Sequence, residues 1–104
     1  MPEAWQSLAD LLVERCGAPP AVARRAIAPA YQAEYYPSYV RYEILRWLAY
    51  CLSGHGKSIK NVGAFVASRI ATDTPCPAWF CPPTNELGRE IQRAEAEWQS
   101  EADE

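Results

Sequence analysis

The 104 residues, 49% hydrophobic and 22% charged, suit one folded domain with a single modest core and are too apolar for a disordered chain. No apolar run approaches the roughly 20 residues that span a bilayer, and the Met-Pro-Glu start lacks the basic-then-apolar order of a signal peptide; a cytoplasmic protein without a membrane partner is expected. The formal charge of −3 is far from that of a dedicated nucleic-acid binder, yet it conceals a split: residues 1–72 carry eight Lys/Arg against five Asp/Glu, and residues 73–104 carry two against eight.

The first helical pattern runs from Pro2 to Cys16, with Trp5, Leu8, Leu12 and Cys16 on one face, and Gly17 sits where a left-handed residue ends a helix. Pro19-Pro20 then makes a rigid turn into a second helix carrying Val22, Ala23, Ala26, Ile27 and Ala30, which Pro29 should kink or end. Tyr35, Tyr36 and Tyr39 gather around Pro37. The row Val40, Ile44, Trp47, Leu48 and Cys51 has the strongest helical period in the chain and marks a third, central helix. Gly54-His55-Gly56 breaks it. Asn61 has the short acceptor that caps a helix start, and Val62, Phe65, Val66, Arg69 and Ile70 follow on one face of a fourth helix.

From Asp73 to Pro83 four prolines forbid regular helix, leaving a loop that Trp79 and Phe80 should pin. A last helix capped by Thr84 or Asn85 places Leu87, Ile91, Ala94 and Trp98 at intervals of four, three and four, a narrow seam that docks back on the domain or waits for a partner. No run alternates as a strand. The expected fold is therefore all-α, a small bundle of four to five short helices with a Pro/Cys-rich loop before the last one: a compact unit over residues 1–83 and an acidic helix or tail over 84–104.

Two constellations invite a chemical reading. Cys51 and His55 are spaced C-x3-H and Cys76 and Cys81 C-x4-C, spacings that zinc sites use. Against zinc, Cys51 continues the apolar face of the third helix, and Trp79-Phe80 between the other two looks like packing; neither a metal nor a cofactor is assigned, and the zinc question stays open. Reduced thiols are the default. Gly56-Lys57-Ser58 resembles the end of a phosphate-binding loop, but the glycine required five positions before Gly56 is Cys51 and a helix precedes it. The single histidine has no nucleophile partner at local spacing, so no enzyme is expected.

Arg24 and Arg25 on the second helix, Arg41 and Arg46 on the third, and Lys57, Lys60 and Arg69 around the fourth are the cations available for a basic face. Tyr35, Tyr36, Tyr39 and Tyr42 are interleaved with them and suit phosphate hydrogen bonding or base stacking. The plainer alternatives are a solvated mixed surface and a structural aromatic cluster.

The segment Lys60-Asn61-Val62-Gly63-Ala64-Phe65-Val66 resembles the K-N-P-x-x-[FY]-[LV] helix near the C-terminal end of many plasmid and phage replication initiators and DnaD-like domains. The order of helices over about residues 8–77 is similar as well. Val62 stands where that family commonly has proline, and the winged-helix portion that precedes the module in the initiators has no counterpart here. The resemblance implies a non-enzymatic helical module of a DNA-associated nucleoprotein complex, of replication or mobile-element type, with Lys60, Asn61, Phe65 and Arg69 at the matching positions. The alternative expectation is a protein-interaction subunit that uses Leu87, Ile91 and Trp98 without touching nucleic acid. Both leave oligomeric state open.

Overall fold

Prolines and short polar side chains set where the helices of this chain begin. In the computed structural model, which describes residues 1–103, five α-helices and one 3-10 turn form a small bundle, with no strand among the described residues. α1 (Glu3–Cys16) follows Pro2 and buries Trp5, Leu8, Ala9, Leu12 and Cys16. Gly17 ends it at φ 82°, a conformation that costs glycine almost nothing, and the N–H groups of Gly17 and Ala18 close the helix on the carbonyls of Val13 and Leu12.

α2 (Pro20–Gln32) starts with proline in its first turn and buries Ala23, Ala26, Ile27 and Ala30. Pro29, expected to kink or end the helix, does not end it: α2 runs on to Gln32. Pro29 is exposed, the Ala33 N–H still reaches its carbonyl, and Tyr31 beyond it packs edge-on against Trp5 with ring centroids 5.4 Å apart. Proline removes one donor here, but the packing of the last turn holds the helix together.

α3 (Pro37–Leu52) is buried along nearly its whole length, which suits its central position against α1, α4 and α5. Ile27, Ile44, Leu8, Leu12 and Val66 are its fully enclosed core neighbours and members, each contributing about 1.5–3 kcal/mol over an exposed position. Ser53 then leaves the helix, its hydroxyl accepting from the His55 N–H, and Gly54–Gly56 form the 3-10 turn.

α4 (Val62–Ala71) is capped by Asn61, whose side-chain oxygen accepts the Ala64 N–H at 3.0 Å. Its buried stripe is Gly63, Val66, Ala67 and Ile70, so Val62, Phe65 and Arg69 lie at its half-buried margin and not at its centre. Gly63 is the reason α4 seats so closely: a Cβ there would come within 2.6 Å of the Ala18 nitrogen and 2.7 Å of the Gly17 carbonyl carbon. The first turns of α2 and α4 therefore share one end of the bundle.

α5 (Glu86–Ala102), capped by Asn85 through the Gly88 N–H, lies along α3. Leu87 and Ile91 are buried, and Trp98 sits between Tyr39 (4.7 Å) and Tyr42 (5.7 Å). The seam that offered itself to a partner is closed inside the molecule. Its flanks carry Arg15–Glu90 at 3.0 Å, Arg41–Glu97 at 2.8 Å and Ser38 donating to Glu101 at 2.6 Å. Each exposed ion pair contributes only about 0.2–1 kcal/mol, so the apolar seam carries the docking and the charges orient it.

Gly63→Ala tests the close approach. In an open helix this change would stabilise by up to about 1 kcal/mol, whereas against fixed backbone it should destabilise by about 1–2 kcal/mol in urea unfolding. A gain in stability would show that α4 can shift away.

Candidate nucleic-acid interface

The seven cations have different fates. Arg24, Arg25, Lys57 and Lys60 are exposed and make no ion pair among the described residues. Arg41 is paired with Glu97. Arg46, expected at the surface, is 8% exposed: it points into the Pro/Cys-rich loop, where its Nη2 donates to the Pro77 carbonyl at 3.0 Å and to that of Phe80 at 3.4 Å. It therefore leaves the basic face. Helical period placed it off the Val40, Ile44, Leu48 row, but a loop with few internal hydrogen bonds packs on that side and needs donors.

Glu43, one turn earlier on α3, serves the same loop, accepting the Cys76 N–H at 2.8 Å, and the Trp47 indole donates to the Thr74 carbonyl at 2.9 Å. Burial pushes the Glu43 carboxyl above its ordinary value, opposed by the Cys76 hydrogen bond and by Arg46. Three side chains of one helix thus hold the segment 74–80 in place. Sequence reasoning missed Glu43; the available signal was a lone carboxylate on the helix expected to be central, directly before Ile44 of its apolar row.

The pinned loop delivers Trp79 to the surface, 60% exposed, beside the 3-10 turn. His55 lies against the Trp79 ring at 5.0 Å, edge to face, and stacks on Tyr50 at 5.7 Å with planes 18° apart. Tyr50 in turn runs parallel to Phe65, 6.4 Å away with 6° between planes. The Arg69 guanidinium closes the row, 4.5 Å over Phe65 and 5.7 Å from the Trp47 ring. These separations are those of attractive aromatic and cation–π pairs. Four rings from α3, the 3-10 turn, α4 and the loop form one row, with Arg69 at the Phe65 end and Trp79 at the other; Lys57 is exposed two residues after His55.

Of the four tyrosines expected to interleave with the cations, Tyr36 is exposed and the other three are engaged elsewhere. Tyr39 and Tyr42 hold Trp98, burial pushes the Tyr39 hydroxyl up to about 12, and Tyr35 donates to Asp73 at 2.6 Å. Cys16, Cys51 and Cys76 are buried thiols, with Cys16 and Cys76 pushed up to about 11 by desolvation, while Cys81 is exposed. Cys51, His55, Cys76 and Cys81 do not form one cluster, and among the described residues no three His, Cys, Asp or Glu side chains converge on a point. No described helix is long and apolar enough to cross a membrane.

The chain matches no protein-family model, and neither the curated proteins nor the solved structures include a significant match to it.

Because the Glu43 carboxyl is raised above 4.5 in the fold, the native chain holds a proton that the unfolded chain has already released, and stability falls as pH climbs from 4.5 through the raised value. Glu43→Gln keeps an oxygen for the Cys76 N–H but does not titrate. Its stability relative to the parent should improve as pH rises across that window, read as urea midpoints from about pH 4 to 7; a difference that is flat with pH would contradict the raised value.

Proposed function

We propose that this chain is a non-enzymatic helical module that contacts single-stranded nucleic acid within a nucleoprotein assembly of replication or mobile-element type. The observation that carries the reading is the row of Phe65, Tyr50, His55 and Trp79, half-buried at its first two rings and exposed at the last two, with Arg69 over Phe65 and with exposed Lys57 and Lys60 in the segment between His55 and Phe65. Every base has a π-face, so a row of rings accepts a strand without reading its sequence, and cations beside the rings meet the phosphates. Duplex DNA keeps its bases stacked inward and offers such a row nothing. The overall charge of −3 agrees with a preference for stacking over dense phosphate neutralisation.

Charge placement supports the same reading. Glu90 and Glu97 on α5 are occupied by Arg15 and Arg41, while the cations near the aromatic row make no ion pair among the described residues. Arg24 and Arg25 are exposed on α2 and add two further cations without an ion pair among the described residues. The alternative of a partner-binding seam at Leu87, Ile91 and Trp98 loses its surface, because α3 already covers it.

Fluorescence anisotropy with a labelled oligothymidine and the matching duplex tests the proposal. The single strand should bind more tightly, with a log–log salt slope near −2, from about 0.7 per phosphate met by three cations. Trp79→Ala should weaken it by about 1–3 kcal/mol, or roughly five- to hundredfold, without changing the unfolding midpoint appreciably. Salt-insensitive binding, or an unaltered affinity for the variant, would sink the idea.

A further inference from the structure

Behind the aromatic row, on the far side of Arg69, α2 and α4 both end beside one cavity of about 250 Å³. Each helix terminates in a non-glycine residue with a left-handed backbone, Glu34 at φ 61° and Asp73 at φ 52°. Such residues cost of order 1–3 kcal/mol and persist where the surroundings impose them. They lie two residues beyond the ends of α2 and α4, and Ala33, Tyr35, Asp73 and Thr74 in these turns line the cavity.

The lining is amphipathic in a specific way. Pro29, Ala30, Ala33, Val40, Ile70 and Pro75 make an apolar wall, and three side chains of the charged types, Glu43, Asp73 and Arg69, interrupt it together with Tyr35, Tyr39 and Thr74. Glu43 is 6% exposed, so its carboxylate is an inner group and not a surface charge. Asp73 is oriented by the Tyr35 hydroxyl at 2.6 Å. Arg69 forms no ion pair with either carboxylate, although all three line the same space. The C-terminal ends of α2 and α4 add partial negative charge at the mouth.

We infer that this cavity binds a small zwitterion, an α-amino acid with an aliphatic side chain, its ammonium between Asp73 and Glu43 and its carboxylate on Arg69. A plain anion would face two carboxylates and two helix C-termini. A plain amine would satisfy the carboxylates but leave the Arg69 guanidinium facing its own sign. A zwitterion meets both signs, and its aliphatic side chain covers the apolar wall. The volume lies just below the roughly 300–1,000 Å³ of drug-sized sites, which suits a ligand of amino-acid size. This site is separate from the aromatic row and does not depend on strand binding, although Arg69 stands between the two.

The test uses the full chain, ¹⁵N-labelled, titrated at neutral pH with L-leucine, with isoamylamine as the same skeleton lacking the carboxylate, and with 4-methylpentanoate lacking the amine. Leucine should shift amides of residues 33–40 and 69–76 in a saturable way, and each half-ligand should bind at least about tenfold more weakly, since a hydrogen-bonded charged group typically contributes that much. Asp73→Asn keeps the left-handed preference and should weaken leucine at least about fivefold with an unchanged thermal midpoint. Leu52→Ala, a distant exposed change, should leave leucine binding as it was. Absence of saturable shifts with leucine, isoamylamine binding as tightly as leucine, or full affinity in Asp73→Asn would each overturn the assignment.

Discussion

A proline-rich segment can satisfy little of its own backbone, and this protein solves that problem with three side chains of its central helix. Between Thr74 and Phe80 the chain forms neither helix nor ladder, so its N–H and carbonyl groups must find partners elsewhere or remain costly. Glu43 takes the Cys76 N–H, Arg46 supplies the Pro77 and Phe80 carbonyls, and Trp47 supplies that of Thr74. Placing a carboxylate and a guanidinium inside a core is expensive in isolation. Their mutual attraction and the hydrogen bonds they make to the loop offset that cost, leaving the Arg46 Nε as the one buried side-chain nitrogen or oxygen without a partner among the described residues.

Much of the remaining architecture depends on this arrangement. The pinned loop sets Phe80 into the core and Trp79 on the surface, and it hands the chain to Asn85 at the start of α5. Were the loop free, the aromatic row would lose one end, and the cavity would lose Glu43 at a fixed position together with the Thr74-Pro75 wall. A buried polar triad in the most buried helix therefore has a positional role as well as an energetic one.

The charge split along the chain has a physical counterpart in the fold. The acidic last third lies across the basic body, where Glu90 and Glu97 meet Arg15 and Arg41. That pairing leaves Arg24, Arg25, Lys57, Lys60 and Arg69 as cations without an ion pair among the described residues. Arg69 is shared ground: it covers Phe65 on one side and lines the cavity on the other. The two candidate surfaces are thus joined through one guanidinium on the margin of α4.

Local pattern determined a good deal of this protein. The helices, the left-handed Gly17, the Asn61 and Asn85 caps and the irregular 73–83 segment are each written in residues within one turn of where they act, because capping and periodicity are short-range effects. Pro29 and Arg46 show where that logic stops. A proline breaks a helix only if packing beyond it is weaker than the lost bond, and an arginine off the apolar row is exposed only if nothing packs on its side. Both questions are answered by Trp5 and by residues 77–80, partners distant in sequence. The aromatic row and the cavity are of the same kind. Their members come from positions separated by tens of residues, and only the folding of α3, α4 and the loop against one another brings the rings to stacking distance and sets Glu43, Arg69 and Asp73 around one space.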